Sequence, residues 1–271
     1  MNAQHQELAI AVAQFAPTDV PVDNLREMAR LVALSVERGA KLIIFPEYSS
    51  SFTATLGQHS VAAAQSLDGA FVSGLGQLAI NHQVYLVAGM LETTVDPARA
   101  SNTLVVIAPS GDVVARYRKL HLYDAFGSIE SDTIAAGSVE PPETFQVGDF
   151  RVGLQTCYDL RFPEVTRRLV DAGAELIVVP SQWVRGALKE HHWRTLITAR
   201  AIENTVYVAA ADHPAPQGVG NSMIVDPMGV ELATIGEQSD VVVAWLSRNR
   251  VSSVRELNPA LQLRRFAVVP R

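Results

Sequence analysis

The chain has 271 residues, 48% of them apolar and 18% charged, with a formal charge of -6 and one cysteine. That suffices for one substantial core, so residues 1–271 are read as a single domain, and no Lys/Arg cluster marks a nucleic-acid partner. No apolar run approaches the roughly eighteen residues of a membrane helix, the polar stretch Met1 to Glu7 is no secretory signal, and a lone cysteine without a disulfide fits the cytoplasm.

Taken in order, short β-branched runs alternate with amphipathic stretches, the pattern of βαβ units. Leu8 to Phe15 reads as a strand. Asp23 or Asn24 is then expected to cap a helix facing inward through Leu25, Met28, Ala29, Val32 and Val36, with Gly39 as its stop. Lys41 to Phe45 is a buried strand ended by Pro46 and Glu47. The glycine pattern from Gly74 to Ala79 precedes a strand rather than following one, so it predicts helix packing, not phosphate binding. Val84 to Ala88 and Asn102 to Val106 are further strands.

The order then returns. Phe150 to Thr156 is a strand, and Pro163 opens a helix with Val165, Leu169 and Ala172 inward. Gly173 stops it, and Leu176 to Val179 is a buried strand ended by Pro180. Gly39-Ala-Lys-Leu-Ile-Ile-Phe-Pro46 and Gly173-Ala-Glu-Leu-Ile-Val-Val-Pro180 are close copies. Val206 to Ala210 echoes Val84 to Ala88, and Asn221 to Val225 echoes Asn102 to Val106. Two related halves, each a sheet with one helical face, bury their remaining faces by packing sheet on sheet. The fold class expected is therefore α/β, a four-layer α-β-β-α sandwich.

Three polar segments interrupt this apolar frame: Phe45-Pro-Glu47-Tyr48, Tyr117-Arg-Lys119-Leu-His-Leu-Tyr123-Asp124, and Gln155-Thr-Cys157-Tyr158-Asp-Leu-Arg161-Phe-Pro-Glu164. A lone cysteine is ordinarily a small buried hydrophobe. At a strand-to-helix turn, beyond the carboxyl end of a strand, it suits nucleophilic attack instead. A nearby carboxylate raises a thiol pKa but can take its proton during attack. A lysine can neutralise the pair and donate to a developing oxyanion, with the Tyr158 backbone N–H as a second donor. His191 and His192 lack the i, i+4 spacing that would put two metal ligands on one helical face.

On these segments the chain resembles the nitrilase superfamily of carbon–nitrogen hydrolases from about Leu8 to about Arg265. The resemblance implies a Glu–Lys–Cys triad: Glu47 as general base, Lys119 as oxyanion-stabilising cation and Cys157 as nucleophile, with Glu130 as a further active-site glutamate. The runs Cys157 to Glu164 and Arg118 to Asp124 look most like the Nit branch, which includes ω-amidases and deaminated-glutathione amidases. The implied reaction is hydrolysis of a small, carboxylate-bearing amide through a thioester, without cofactor or metal. A nitrile or N-carbamoyl hydrolase, or a catalytically idle scaffold, stays open at this point. Tyr48, Tyr123, Phe126, Tyr158, Arg161 and Trp183 are expected to line the pocket, with ion pairing to Asp159 or Glu164 as the alternative for Arg161. Family likeness also implies a homodimer or larger homo-oligomer, the segment from about 246 to 271 contributing to the subunit interface.

Overall fold

A computed structural model describes residues 7–270. The first half runs β1 (Leu8–Gln14), α1 (Pro21–Glu37), β2 (Leu42–Ile44), α2 (Gln58–Ala62), α3 (Ala70–His82), β3 (Tyr85–Thr93), β4 (Ala100–Ile107), β5 (Val113–Arg118) and the short β6 (Ile134–Ala135). The second runs β7 (Thr144–Val147), β8 (Phe150–Leu154), α4 (Pro163–Asp171), β9 (Leu176–Pro180), α5 (Lys189–Asn204), β10 (Tyr207–Ala211), β11 (Met223–Val225) and β12 (Glu231–Thr234). β13 (Asp240–Leu246) then returns to the first sheet, and α6 (Arg248–Leu257) follows it.

The repeat read from sequence is also a repeat of topology. β1, β2 and β3 are parallel, and β4 and β5 continue the first sheet antiparallel. β8, β9 and β10 are parallel, and β11 and β12 continue the second sheet in the same way. Even the register repeats: Leu42 pairs with Tyr85, and Leu176 with Tyr207. Gly39 and Gly173 end their helices at φ +92° and +93°, a region that penalises any Cβ.

Successive strand residues point to opposite faces, which sorts the apolar runs into layers. Ile10, Val12, Leu42 and Ile44 meet Val152, Leu154, Leu176 and Val178 in a core between the sheets. Ala11, Ala13, Ile43 and Phe45 face Met28, Leu31, Val32 and Leu75 of α1 and α3. Ile177, Val179, Val208 and Ala210 face Val165, Leu169, Trp193 and Ile197 of α4 and α5. The result is an α-β-β-α sandwich whose parallel strands are buried on both faces. Each large aliphatic side chain removed from water this way contributes roughly 1.5–3 kcal/mol.

Three local expectations shift. α1 starts at Pro21 with Val20 before it, because a proline at the first helical position already has the required φ. Asn24 is therefore inside the helix, where it bonds the Thr18 backbone on both sides and the Ser50 carbonyl at 3.1 Å. Ala172 lies past the end of α4 and is only half-buried, and β8 stops at Leu154. Gly74 and Gly76 do serve helix packing. A Cβ on Gly74 would sit 2.7 Å from Leu25, and one on Gly76 3.0 Å from the Gly111 carbonyl. Among the described residues, no helix is long and apolar enough to cross a membrane.

Candidate active site

The site forms where strand ends of the two sheets converge. Glu47 follows β2, and the next residue, Tyr48, takes φ +57°. This turn presses so closely on β3 that a Cβ on Gly89 would lie 2.6 Å from the Glu47 Cα, so glycine is required there. Lys119 extends the β5 ladder by one bond, its N–H meeting the Asn102 carbonyl at 2.9 Å. Cys157 opens a one-turn 3-10 segment after β8 at φ +45°, an uncommon setting for a non-glycine residue that projects it out of the strand path.

The Lys119 ammonium lies between two carboxylates. It donates to Glu47 Oε1 at 2.9 Å and to Glu130 Oε2 at 2.9 Å, with all three side chains nearly sealed from solvent. Asn102, on β4, donates its amide to Glu47 Oε1 at 2.6 Å and to Glu130 Oε1 at 3.1 Å. Tyr48 also donates to Glu130, at 2.6 Å, as does the backbone N–H of Tyr123. The outer oxygen of Glu47 accepts the Gln182 N–H at 2.7 Å, and the Gln182 carbonyl accepts the Cys157 thiol at 3.6 Å.

These contacts push the ionisable groups apart. Burial works against the Lys119 charge, but Glu130 and Glu47 outweigh it and hold the ammonium well above the ordinary lysine range. Burial raises the Glu47 carboxyl, and Lys119 offsets it only in part. Burial also acts to raise Glu130, yet Lys119, the Tyr48 hydroxyl and the Tyr123 N–H prevail and lower it. The Cys157 thiol is pushed well up, first by burial and then by Glu47. The resting arrangement is a neutral thiol, a charged lysine and two carboxyls of unequal basicity, the pattern that separates acid from base roles in one site.

A small cavity opens onto Cys157, walled by Tyr123, Tyr158, Arg161, Trp183 and Lys189. Phe126 stacks on Tyr123 at 6.1 Å between ring centroids, beside that cavity. Tyr48 is not on its wall: its hydroxyl is committed to Glu130, which places the ring behind the carboxylates. Arg161 makes neither ion pair considered for it. The Asp159 carboxylate is taken up by the Tyr117 hydroxyl, the His121 ring and the Thr156 N–H. Arg161 instead lies 4.9 Å over the Trp183 ring, with one nitrogen 3.3 Å from His192 Nδ1.

Four contributors escaped the sequence reading: Asn102, Gln182, Lys189 and the Asp212–His213 pair. Asn102 was visible as the polar start of an apolar strand. Lys189 bonds the Tyr123 hydroxyl at 2.7 Å and lies 3.7 Å over the Phe126 ring. Burial and then the Arg161 charge lower its proton affinity. Nothing in its sequence neighbourhood, Leu188 to Glu190, separated it from a solvated helix start.

Comparison with known proteins places this chain in a family. The carbon–nitrogen hydrolase family model matches residues 9–256. A deaminated glutathione amidase of Escherichia coli O157:H7 is 41% identical over 262 residues, covering 96% of this chain and 98% of that protein. The crystal structure of Saccharomyces cerevisiae Nit3, of the nitrilase superfamily, superposes with a TM-score of 0.85 at 25% identity, covering 96% of this chain and 97% of that one. An amidase of Nesterenkonia AN1, from the same superfamily, gives 0.80 at 26% identity, covering 96% and 98%. The chain belongs to the carbon–nitrogen hydrolase family, as an amide-hydrolysing member of the nitrilase superfamily.

Proposed function

We propose that Cys157 opens the amide bond of a small carboxylate-bearing substrate, with Glu47 as its base and Lys119 as its oxyanion partner. The observation that carries this reading is one buried ammonium 2.9 Å from each of two carboxylates, beside the chain's one thiol. Glu47 lies close enough to the thiol to raise it, while Glu130 anchors Lys119 from the other side.

Glu47 takes the thiol proton as sulfur bonds to the amide carbon. The carbonyl oxygen becomes an oxyanion facing Lys119 and the Tyr158 N–H, which lies in the open first turn after Cys157, where N–H groups lack intrahelical partners. Collapse breaks the C–N bond, and Glu47 returns its proton to the departing nitrogen as ammonia or an amine leaves. Water, losing a proton to Glu47, then attacks the thioester; the C–S bond breaks, the departing sulfur takes that proton back from Glu47, and the acid is released.

The carboxylate preference is supported by the cavity wall. Arg161 and Lys189 both front it, and neither has a carboxylate within ion-pair distance among the described residues. Cations left uncompensated in a partly dry wall favour an anionic ligand. The relative from Escherichia coli is named for deaminated glutathione, an amide to include in any panel.

Ammonia or amine release from carboxylate-bearing amides, neutral amides, nitriles and N-carbamoyl compounds tests the assignment. We expect carboxylate-bearing amides to be preferred and Cys157→Ala to abolish both turnover and covalent labelling in the cavity. Full amidase activity in that variant would overturn the mechanism.

We infer a single domain, a cytoplasmic location and a homodimer that uses residues 246–271. The core shared by both sheets supports the first. Leu263, Phe266 and Val269, 70%, 91% and 74% exposed along the C-terminal stretch, support the interface. Light scattering of a chain truncated after 257 should show loss of the dimer.

A further inference from the structure

Just past β10, two consecutive buried residues hold the backbone around the base, one at Glu47 and the other at the segment that bonds its carboxylate. His213 donates from Nε2 to the backbone carbonyl of Glu47 at 2.7 Å. Asp212 accepts the Trp183 N–H on Oδ1 at 2.7 Å. The preceding N–H, of Gln182, is the one that meets the Glu47 carboxylate. Consecutive amides of one extended segment thus run to two buried carboxyls, and the carbonyl between them takes the Cys157 thiol. Both Asp212 and His213 are fully buried.

Asp212 is itself braced. Its N–H meets Ser222 Oγ at 2.9 Å, and that hydroxyl donates to Gln14 Oε1 at 2.7 Å, tying the pair to the end of β1. Gly218 packs against the carboxyl so tightly that a Cβ there would lie 2.9 Å from Oδ2. Neither Oδ2 of Asp212 nor Nδ1 of His213 has a partner among the described residues.

We propose that Asp212 and His213 are positioning residues for the general base, holding the Glu47 backbone and the Gln182–Trp183 segment so that one carboxylate oxygen faces Lys119 while the other is kept by the Gln182 N–H. Neither touches substrate. This rests on the reading of Glu47 as the base. The pair works by position rather than by charge. Burial drives the Asp212 carboxyl toward its neutral form, and His213, lowered to about 4, is uncharged at neutral pH. An amide in place of Asp212 keeps the acceptor oxygen, whereas a methyl loses it.

The test compares conservative and deleting variants in the full-length enzyme. Rates are normalised to the folded fraction read from denaturant titrations of each variant, so that loss of folded protein is divided out. Asp212→Ala and His213→Ala should lower kcat about tenfold to a hundredfold at little change in KM, the scale expected when a reacting group is misplaced. Asp212→Asn, and His213→Gln with its own N–H donor, should restore most of the rate.

The acid limb of kcat/KM should move up in pH in Asp212→Ala. The Gln182 N–H favours the charged carboxylate, so loosening it makes Glu47 harder to deprotonate. The other groups facing Glu47 stay in place: Lys119, Glu130, Cys157 and Tyr48. Wild-type kcat and an unmoved acid limb in both alanine variants would overturn the proposal. So would Asp212→Asn as impaired as Asp212→Ala. If Asp212→Ala does not fold, the His213 pair and Asp212→Asn decide the matter. Glu47→Gln serves as control: activity retained there would remove the base itself, whereas an inactive control beside unaffected Asp212 and His213 variants defeats only the positioning role.

Discussion

The two halves share a backbone and differ at almost every strand end. Pro46-Glu47-Tyr48-Ser49 in the first half corresponds to Pro180-Ser181-Gln182-Trp183 in the second. One copy supplies a carboxylate; the other supplies a peptide N–H that holds one of its oxygens. β1 ends at Gln14 and runs on into Phe15, while its counterpart β8 stops at Leu154 and leads into Cys157 in a turn at φ +45°. β3 places Gly89 against Glu47, and its counterpart β10 leads into Asp212 and His213. A duplicated frame fixes where strand ends lie without fixing what stands on them. Each half therefore carries an incomplete share of the site, and only their packing assembles it.

Matched substitutions can break this comparison. The largest difference is expected between Glu47→Gln and Ser181→Ala, which occupy corresponding places. The first should cost on the order of a hundredfold or more in kcat/KM, and the second should stay near wild type; equal losses would mean that the strand end itself matters, not its chemistry. In the wild type, kcat/KM should rise as pH passes above the ordinary carboxylate range, because burial raises Glu47. It should then show no loss from lysine deprotonation near the ordinary pKa of about 10, because Lys119 is held well above it.

A second pair sharpens the point. Asn102→Ala removes the amide bonded to both carboxyls and should slow turnover about tenfold, since one charge-assisted hydrogen bond contributes roughly 1.5–3 kcal/mol. Its motif counterpart Asn221 bonds Arg194 and accepts the Trp193 indole N–H on its carbonyl, so Asn221→Ala should leave per-molecule activity intact and lower stability. Kinetics beside urea denaturation separates the two outcomes.

The smallest effects test the shared frame. Gly39→Ala and Gly173→Ala should each destabilise by roughly 1–2 kcal/mol, the cost of a Cβ in the left-handed region, and by nearly equal amounts. His213 adds a pH signature to stability. Its folded value, about 4, lies below the ordinary histidine value of about 6.5, so the unfolded chain binds the proton more readily. Its contribution is intact above pH 6.5 and is lost as pH falls toward 4. The stability difference between wild type and His213→Gln should narrow or reverse across that window in denaturant titrations.

Much of this was legible in the chain itself. Continuous apolar runs marked strands buried on both faces, and Gly39, Gly173, Pro46 and Pro180 punctuated them at corresponding places. Glu47, Lys119 and Cys157 stood out because each is a polar residue where an apolar run ends. Local rules misjudged the start of α1, where Pro21 outranked Asn24 as the signal.

The sequence by itself determined the periodicity, the duplication and the three reactive side-chain types, because these depend on neighbours a few positions apart. Only the tertiary structure brought Lys119, Tyr48 and the Tyr123 N–H onto Glu130 from different elements. It likewise decided that Arg161 faces the cavity beside Lys189 rather than pairing with Asp159, that His213 reaches back to the Glu47 carbonyl, and that Asp212 holds the Trp183 N–H. Electrostatic environment and hydrogen-bond geometry act through space, and the distances that set them exist only once both sheets are packed.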